Sequence, residues 1–223
     1  MLARLIPALA ACTVLAPVVF AQPAGLTGRL EGDTYVSATG EFKVPAPVLW
    51  ELGGKITDTE NVVTFTDSYN THVSIACFPQ DAAQRWELDT RGRRDYLLYF
   101  FTDFVLADFR KRFPGSSIES ARFLPELNDG TLIAYALLPG GSFFEDKNKV
   151  LSAAPAQPVV AKRGTLLFVR RGFVYVLSTE LAERATERST YQLTVEKENA
   201  LLADRLTALA GRLVFTGPKP RNP

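Results

Sequence analysis

Histidine, cysteine and methionine are nearly missing from this chain of 223 residues, which has one His, two Cys and one Met. With so few ligands, His72 and Cys77 cannot assemble a Cys/His zinc site. A haem, iron–sulfur or copper centre is excluded for the same reason, and no cofactor is expected. An excess of one charge is missing too: 25 basic side chains face 24 acidic ones. A general polyanion binder needs a cationic excess or stripe, so nucleic acid is not an expected partner. No Gly-x-Ser-x-Gly elbow, EF-hand pattern or dinucleotide fingerprint occurs, and Gly140-Gly141 alone is no phosphate loop. What is abundant is apolar. A content of 47% hydrophobic and 11% aromatic residues forms a core and excludes disorder over most of the chain.

The first 21 residues, Met1 to Ala21, read as an address. Arg4 supplies a short positive start, Leu5 to Phe20 an apolar run, and Val19-Phe20-Ala21 a cleavage site before Gln22. This is the pattern of a secretory signal peptide. The run is interrupted by Pro7 and Pro17 and is short for a membrane span of roughly 20 residues. Leu9-Ala10-Ala11-Cys12 also looks like a bacterial lipobox, although the residues after Cys12 stay apolar instead of forming a polar tether. Membrane anchoring is expected only if Cys12 is lipidated. Either way the mature domain is exported, periplasmic or secreted. Cleavage removes Arg4 alone among the charged groups and leaves a formal net charge of zero. The mature chain then has Cys77 as its one cysteine and no internal disulfide, so its core must hold it together.

Gln22 to Gly32, rich in Gly and polar residues, reads as a flexible leader. Tyr35-Val36-Ser37 and Phe42-Lys43-Val44 are short extended stretches, the second ended by Pro45 and Pro47. Val62 to Thr66 and Thr71 to Phe78 form a hairpin around Asp67-Ser68-Tyr69-Asn70. A first helix is expected from about Arg91 to Phe113, with Thr90 as N-cap and Arg110, Lys111 and Arg112 in its last turn. At about 100° per residue, Leu97, Phe100, Phe101, Phe104, Val105 and Phe109 form its apolar face. Tyr99 and Leu106 interrupt the polar arc. Ser117 to Leu124 and Thr131 to Leu138 are joined through Asn128-Asp129-Gly130, and Thr165 to Arg170 and Phe173 to Ser178 through Arg171-Gly172. The irregular stretch from Pro139 to Gly164 is longer than ordinary connections. A second helix is expected from Ser189, in a capping box with Gln192, to about Ala210, with Gly211 after its end. Leu213-Val214-Phe215 is a closing strand.

The chemistry-bearing residues are scattered. On a strand, His72, Ser74, Ala76 and Phe78 share one face and Val73, Ile75 and Cys77 the other, so thiol and imidazole point apart. The obvious carboxylates for hydrolysis are Glu145-Asp146 and Asp58/Glu60, which solvated loop charge also explains. No convincing catalytic set emerges. Basic groups cluster at Arg91, Arg93 and Arg94, at Arg110 to Arg112, and along Lys147, Lys149, Lys162, Arg163, Arg170 and Arg171. This last edge borders the long loop and is the expected contact surface, with Tyr99 and Leu106 on the exposed side of the first helix as the other candidate. The expected role is that of an exported, non-enzymatic domain binding a protein in the bacterial cell envelope. The alternatives are a carrier or sensor of a small apolar ligand, suggested by the 15 Phe, and a carboxylate-based hydrolase.

Hairpins dominate the order of elements, which predicts an α+β fold: one domain over residues 33–216, with a central, mainly antiparallel sheet and helices packed on its faces. A Pro-rich tail follows over 217–223. The stretch Tyr35-Val36-Ser37-Ala38-Thr39-Gly40-Glu41-Phe42-Lys43-Val44-Pro45, the Phe-rich helix, the hairpin strand Gly172-Phe173-Val174-Tyr175-Val176-Leu177-Ser178 and the final Leu213-Val214-Phe215 together resemble the Mog1/PsbP-like superfamily, including its exported bacterial members. That resemblance implies an α/β/α sandwich and binding in place of catalysis, and it carries no catalytic residues over.

Overall fold

A computed structural model of the chain describes residues 25–142, 160–187 and 190–217. The expected signal peptide, Lys147, Lys149, Glu145-Asp146, Ser189 and the tail from 218 lie outside these residues.

The strands follow from local sequence. Val62–Thr66 and His72–Pro79 alternate apolar and polar residues, whereas Leu166-Leu167-Phe168-Val169 is continuously apolar and buried on both faces, as central strands are. In chain order the strands are β1 Arg29–Glu31, β2 Thr34–Val36, β3 Phe42–Pro45, β4 Lys55–Asp58, β5 Val62–Thr66, β6 His72–Pro79, β7 Ser117–Leu124, β8 Thr131–Pro139, β9 Val160–Arg170, β10 Phe173–Glu180 and β11 Val214–Phe215. Seven of them form the main sheet, ordered β4-β5-β6-β10-β9-β8-β7, with every pair antiparallel. The others form a second, four-stranded sheet, β1-β2-β3-β11. The fold is α+β, as expected, with this small sheet as an added layer.

One face of the main sheet is covered by helical chain from 82 to 112. Helix α1, Ala82–Arg91, is capped by Asp81, whose carboxylate accepts from the Gln84 N–H at 2.7 Å. It ends at Gly92, whose φ of 74° no other residue type adopts cheaply. Helix α2, Arg93–Phe100, a π-helical turn, Phe101–Val105, and α3, Leu106–Arg112, continue without a break. The expected start at Thr90 is therefore corrected. Helix α1 buries none of its residues, so it left no apolar stripe in the sequence to mark it.

The other face carries the small sheet and two more helices, α4 Ala182–Thr186 and α5 Val195–Arg212. Tyr35, Phe42 and Val44 from the small sheet join Leu202, Leu206 and Leu209 from α5 over Ile75, Cys77, Phe168 and Tyr175. Thr194 caps α5, accepting from the Lys197 N–H at 3.4 Å. The helix runs through Gly211 to Arg212. Burial of Leu209, Ala210 and Leu213 outweighs the roughly 1 kcal/mol that a helical glycine costs. Gly164 on β9 lets α5 lie close: a Cβ there would stand 3.0 Å from Leu206 Cδ1.

The expected leader is partly built into the domain. β1 pairs with β2, and the Thr27 and Gly28 N–H groups donate to the Asp58 carboxylate at 2.9 and 2.7 Å.

Candidate functional site

The helix-bearing face is covered unevenly, and the cause is the π-helical turn. The Leu106 N–H donates to the Phe101 carbonyl, five residues back. One extra residue in a helix turns everything after it by about 100°. A uniform helix would put Phe104 and Val105 inward and Leu106 outward. The added residue instead buries Leu106 at 1% exposure and leaves Phe104 45% exposed. Leu106 was an expected surface residue, and the π turn moves it into the core. Within this turn the Thr102 hydroxyl donates to the Tyr99 carbonyl at 3.0 Å.

Beside Phe104 lies a groove of about 290 Å³ between the helical edge and the part of the sheet it leaves bare. Phe78, Phe100, Phe109, Val62 and Val176 give it apolar walls. Phe104 stacks on Phe100 at 4.9 Å between ring centroids and meets the Tyr99 ring edge-on at 5.9 Å. The guanidinium of Arg91 stands over the Tyr99 ring, 4.5 Å from its centroid. Across the floor run three hydroxyls set by strand register, Thr64 opposite Ser74 and Ser74 opposite Ser178. His72, Asp108, Arg112 and Arg163 line the polar side. The groove can hold an apolar body against rings and offer hydroxyls to a polar part.

His72 lines this groove, whereas Cys77 belongs to the cluster on the opposite face of the sheet. The two are separated as strand alternation predicts. Burial pushes the Cys77 thiol up to about 12, so it stays protonated beside Tyr175. Of the carboxylate pair Asp58/Glu60, Asp58 is engaged by two backbone N–H groups and by the Tyr35 hydroxyl at 2.7 Å, while Glu60 faces solvent. Among the described residues no group of three His, Cys, Asp or Glu could hold a metal ion.

The expected basic edge divides in two. Lys162 is 0% exposed, with its ammonium 2.8 Å from the Glu198 carboxylate and also paired with Glu119. Arg163 reaches Glu180 at 3.3 Å and lies against the Phe109 and Phe113 rings. Neither offers a free cation on the surface, because a buried charge is tolerable only when paired. Arg170 and Arg171, at the β9–β10 turn, are half-buried against the small sheet, Arg170 over the Phe215 ring at 4.3 Å and Arg171 donating to the Phe215 carbonyl at 3.3 Å. Tyr99 is half-buried.

The described residues thus make up an α+β domain with an aromatic groove on the helix-bearing face of its main sheet. No family model matches the sequence, and no curated protein matches it. Among solved structures it is similar to the cyanobacterial PsbP protein, CyanoP, of Synechocystis, with a TM-score of 0.49 and 12% identity over 90% of this chain and 99% of that one. It is also similar to the Ran-binding protein Mog1p of Saccharomyces cerevisiae, with a TM-score of 0.46 and 7% identity over 82% and 94% of the two chains. Identity this low carries no partner or activity across.

Proposed function

We propose that this chain is an exported, non-enzymatic binding domain that takes an apolar stretch of a protein of the bacterial cell envelope on the groove beside Phe104. The observation that carries the reading is the π turn. It holds a large aromatic side chain in solvent at the rim of an apolar groove, when a regular helix would have buried it. Such turns concentrate at functional positions, and exposed aromatics rimmed by polar groups mark contact surfaces. Export rests on the Met1–Ala21 pattern. Rings and hydroxyls, with His72 and Cys77 on opposite sides of the sheet, suit holding more than turnover.

A photoreactive residue placed at position 104 and irradiated in intact cells tests this, with position 214 on the small sheet, also exposed, as control. Discrete protein adducts at 104 and not at 214 are expected. The same adducts at both positions, or none, would remove the protein partner. The groove's volume of about 290 Å³ favours a second reading, a small apolar ligand. Native mass spectrometry decides it: the freshly purified chain would carry a small added mass that a Phe104→Ser variant lacks.

A further inference from the structure

Large apolar side chains left in solvent are unevenly distributed over the domain. Ten stand exposed among the described residues, and four of them, Leu49, Trp50, Leu52 and Tyr69, fall on two adjoining turns at 40% to 65% exposure. Trp50–Leu52 is a 3-10 turn that buries none of its residues, closed by the Leu52 N–H donating to the Leu49 carbonyl at 3.0 Å. The β5–β6 turn lies against it, with the Ser68 N–H donating to the Leu52 carbonyl at 2.9 Å. In that second turn the Asp67 carboxylate accepts from the N–H groups of Tyr69, Asn70 and Thr71 at 2.9, 3.0 and 2.9 Å. Asp67 is itself buried, so the turn hides its charge and presents the Tyr69 ring. Strand register puts both turns at one end of the main sheet. Lys55, which opens β4, pairs with Thr66, and Thr66 with His72, which opens β6.

Two exposed cations flank this tip. Lys55 lines a depression with Trp50, and Arg212, at the end of α5, lines another with Pro47, Asn70 and Thr71. Neither is in an ion pair with a carboxylate among the described residues. Against them stands Glu51 as the exposed acid of the 3-10 turn. Gly25 and Leu26 line the same depression as Trp50 and Lys55, so the chain enters the domain along it.

We propose that this tip adsorbs to an anionic lipid surface, with Leu49, Trp50, Leu52 and Tyr69 in the interface and Lys55 and Arg212 over the headgroups. The tip projects and offers no concave wall, which suits a soft partner that closes around it. Trp and Tyr combine an apolar ring with a polar group and so favour the boundary between acyl chains and water. Cations beside them add attraction to anionic lipids within a Debye length. The lipobox-like stretch ending at Cys12 lies upstream on the chain that enters beside Trp50, so a lipid there would pull this end toward the bilayer.

The chain has two Trp, and vesicles with brominated acyl chains quench only a tryptophan that reaches them. Trp86, the other one, is also exposed but lies on α1, on the helix-bearing face. The full mature chain is mixed at low salt with vesicles of phosphatidylglycerol and phosphatidylethanolamine. In a Trp86→Phe variant, Trp50 should be quenched and its emission shifted to the blue. In a Trp50→Phe variant, Trp86 should stay unquenched. By vesicle flotation, Leu52→Ser should weaken binding about tenfold. Lys55→Gln and Arg212→Gln should each weaken it about fivefold, a difference that added salt removes. Thermal melts at the wild-type midpoint separate lost adsorption from lost fold, and the quenching pair leaves all four apolar sites aromatic or aliphatic. No vesicle binding at low salt overturns the proposal, as do equal quenching of both tryptophans and binding that Leu52→Ser keeps. Protein adducts at position 52 without vesicle binding overturn it in favour of a protein contact. Phe104→Ser should bind vesicles as wild type does, and a loss there would move the contact to the groove and overturn the tip.

Discussion

Replacing Lys162 by methionine isolates the domain's most deeply placed charge. The ammonium is 0% exposed and lies between Glu198 on α5, at 2.8 Å, and Glu119, the extra residue of a bulge in β7. It also lies 5.7 Å from the Tyr135 ring. Methionine fills most of the same volume, so the change removes charge more than packing. Removing one partner of a buried pair costs about 3–5 kcal/mol, because the other is left charged in a poor solvent. Here Glu198 keeps the Tyr191 hydroxyl at 2.6 Å and Arg184 at 3.3 Å, which places the expected loss near the lower bound, about 3 kcal/mol. With a urea m-value of about 2 kcal/mol/M, the midpoint should fall by roughly 1.5 M at unchanged m. A second variant, Lys162→Met with Glu198→Gln, leaves no uncompensated charge on α5 and should recover part of the loss. Tryptophan fluorescence and far-UV circular dichroism must report the same transition. A loss below about 1 kcal/mol, or no recovery in the double variant, would refute the account of Lys162 as the ion that ties α5 to the sheet.

The remaining predictions concern the layers and the helix. Burial acts to raise the Asp58 pKa, but the Gly28 and Thr27 N–H groups and the Tyr35 hydroxyl together hold it below its ordinary value. A depressed folded pKa gives stability that is complete above about pH 4 and lost as pH falls through the folded pKa. Asp58→Asn must turn an amide N–H toward one of those donors, so it should cost about 2 kcal/mol at pH 7 and flatten the stability profile below pH 4. An unchanged acid limb would count against it. Gly164→Val drives a side chain into Leu202 and Leu206 and should cost about 2 kcal/mol, read as a lower melting temperature. Deleting Thr102 removes the extra residue of the π turn while Leu106 and Phe109 still point inward. The variant should therefore unfold cooperatively with near wild-type stability, and a molten transition would show that the phase argument is wrong.

The strands β5 to β8 and β10 were legible because each combines a local apolar run with turn residues at its ends, as at Asp129-Gly130 and Arg171-Gly172, whereas β9 begins at Val160, inside the stretch to Gly164 expected to be irregular, because pairing with β8 carries it past the polar Lys162 and Arg163. The opposite faces of His72 and Cys77 followed from the period of two, which a regular strand does not break. What escaped the sequence was decided by distant partners or by phase. β1 and β4 are short and half-exposed, and they exist through pairing with β2 and β5. The π turn cannot be read from a pattern that assumes a constant angle per residue, so Phe104 and Leu106 exchanged places together. Lys162 reads as a surface cation until Glu119 and Glu198 are brought to it from β7 and α5. The hydroxyl row of the groove, Thr64, Ser74 and Ser178, appears only once three strands are in register.

The near-perfect charge balance of the chain conceals a sorting of its charges. Inside, Lys162, Arg163 and Arg184 face Glu119, Glu180 and Glu198, and each cation is met by a carboxylate. Outside, Arg85, Arg93, Arg170 and Arg171 are met by carbonyls and a ring. Burial explains the first group, since an unpaired ion in the core would cost more than the fold could spare. The second group sits nearer the surface and is divided between the two faces of the main sheet, Arg85 and Arg93 beside α1 and α2, Arg170 and Arg171 against Phe215 of the small sheet. The sorting therefore follows depth: a carboxylate is required where water cannot reach the cation, and a carbonyl or a ring suffices where it can.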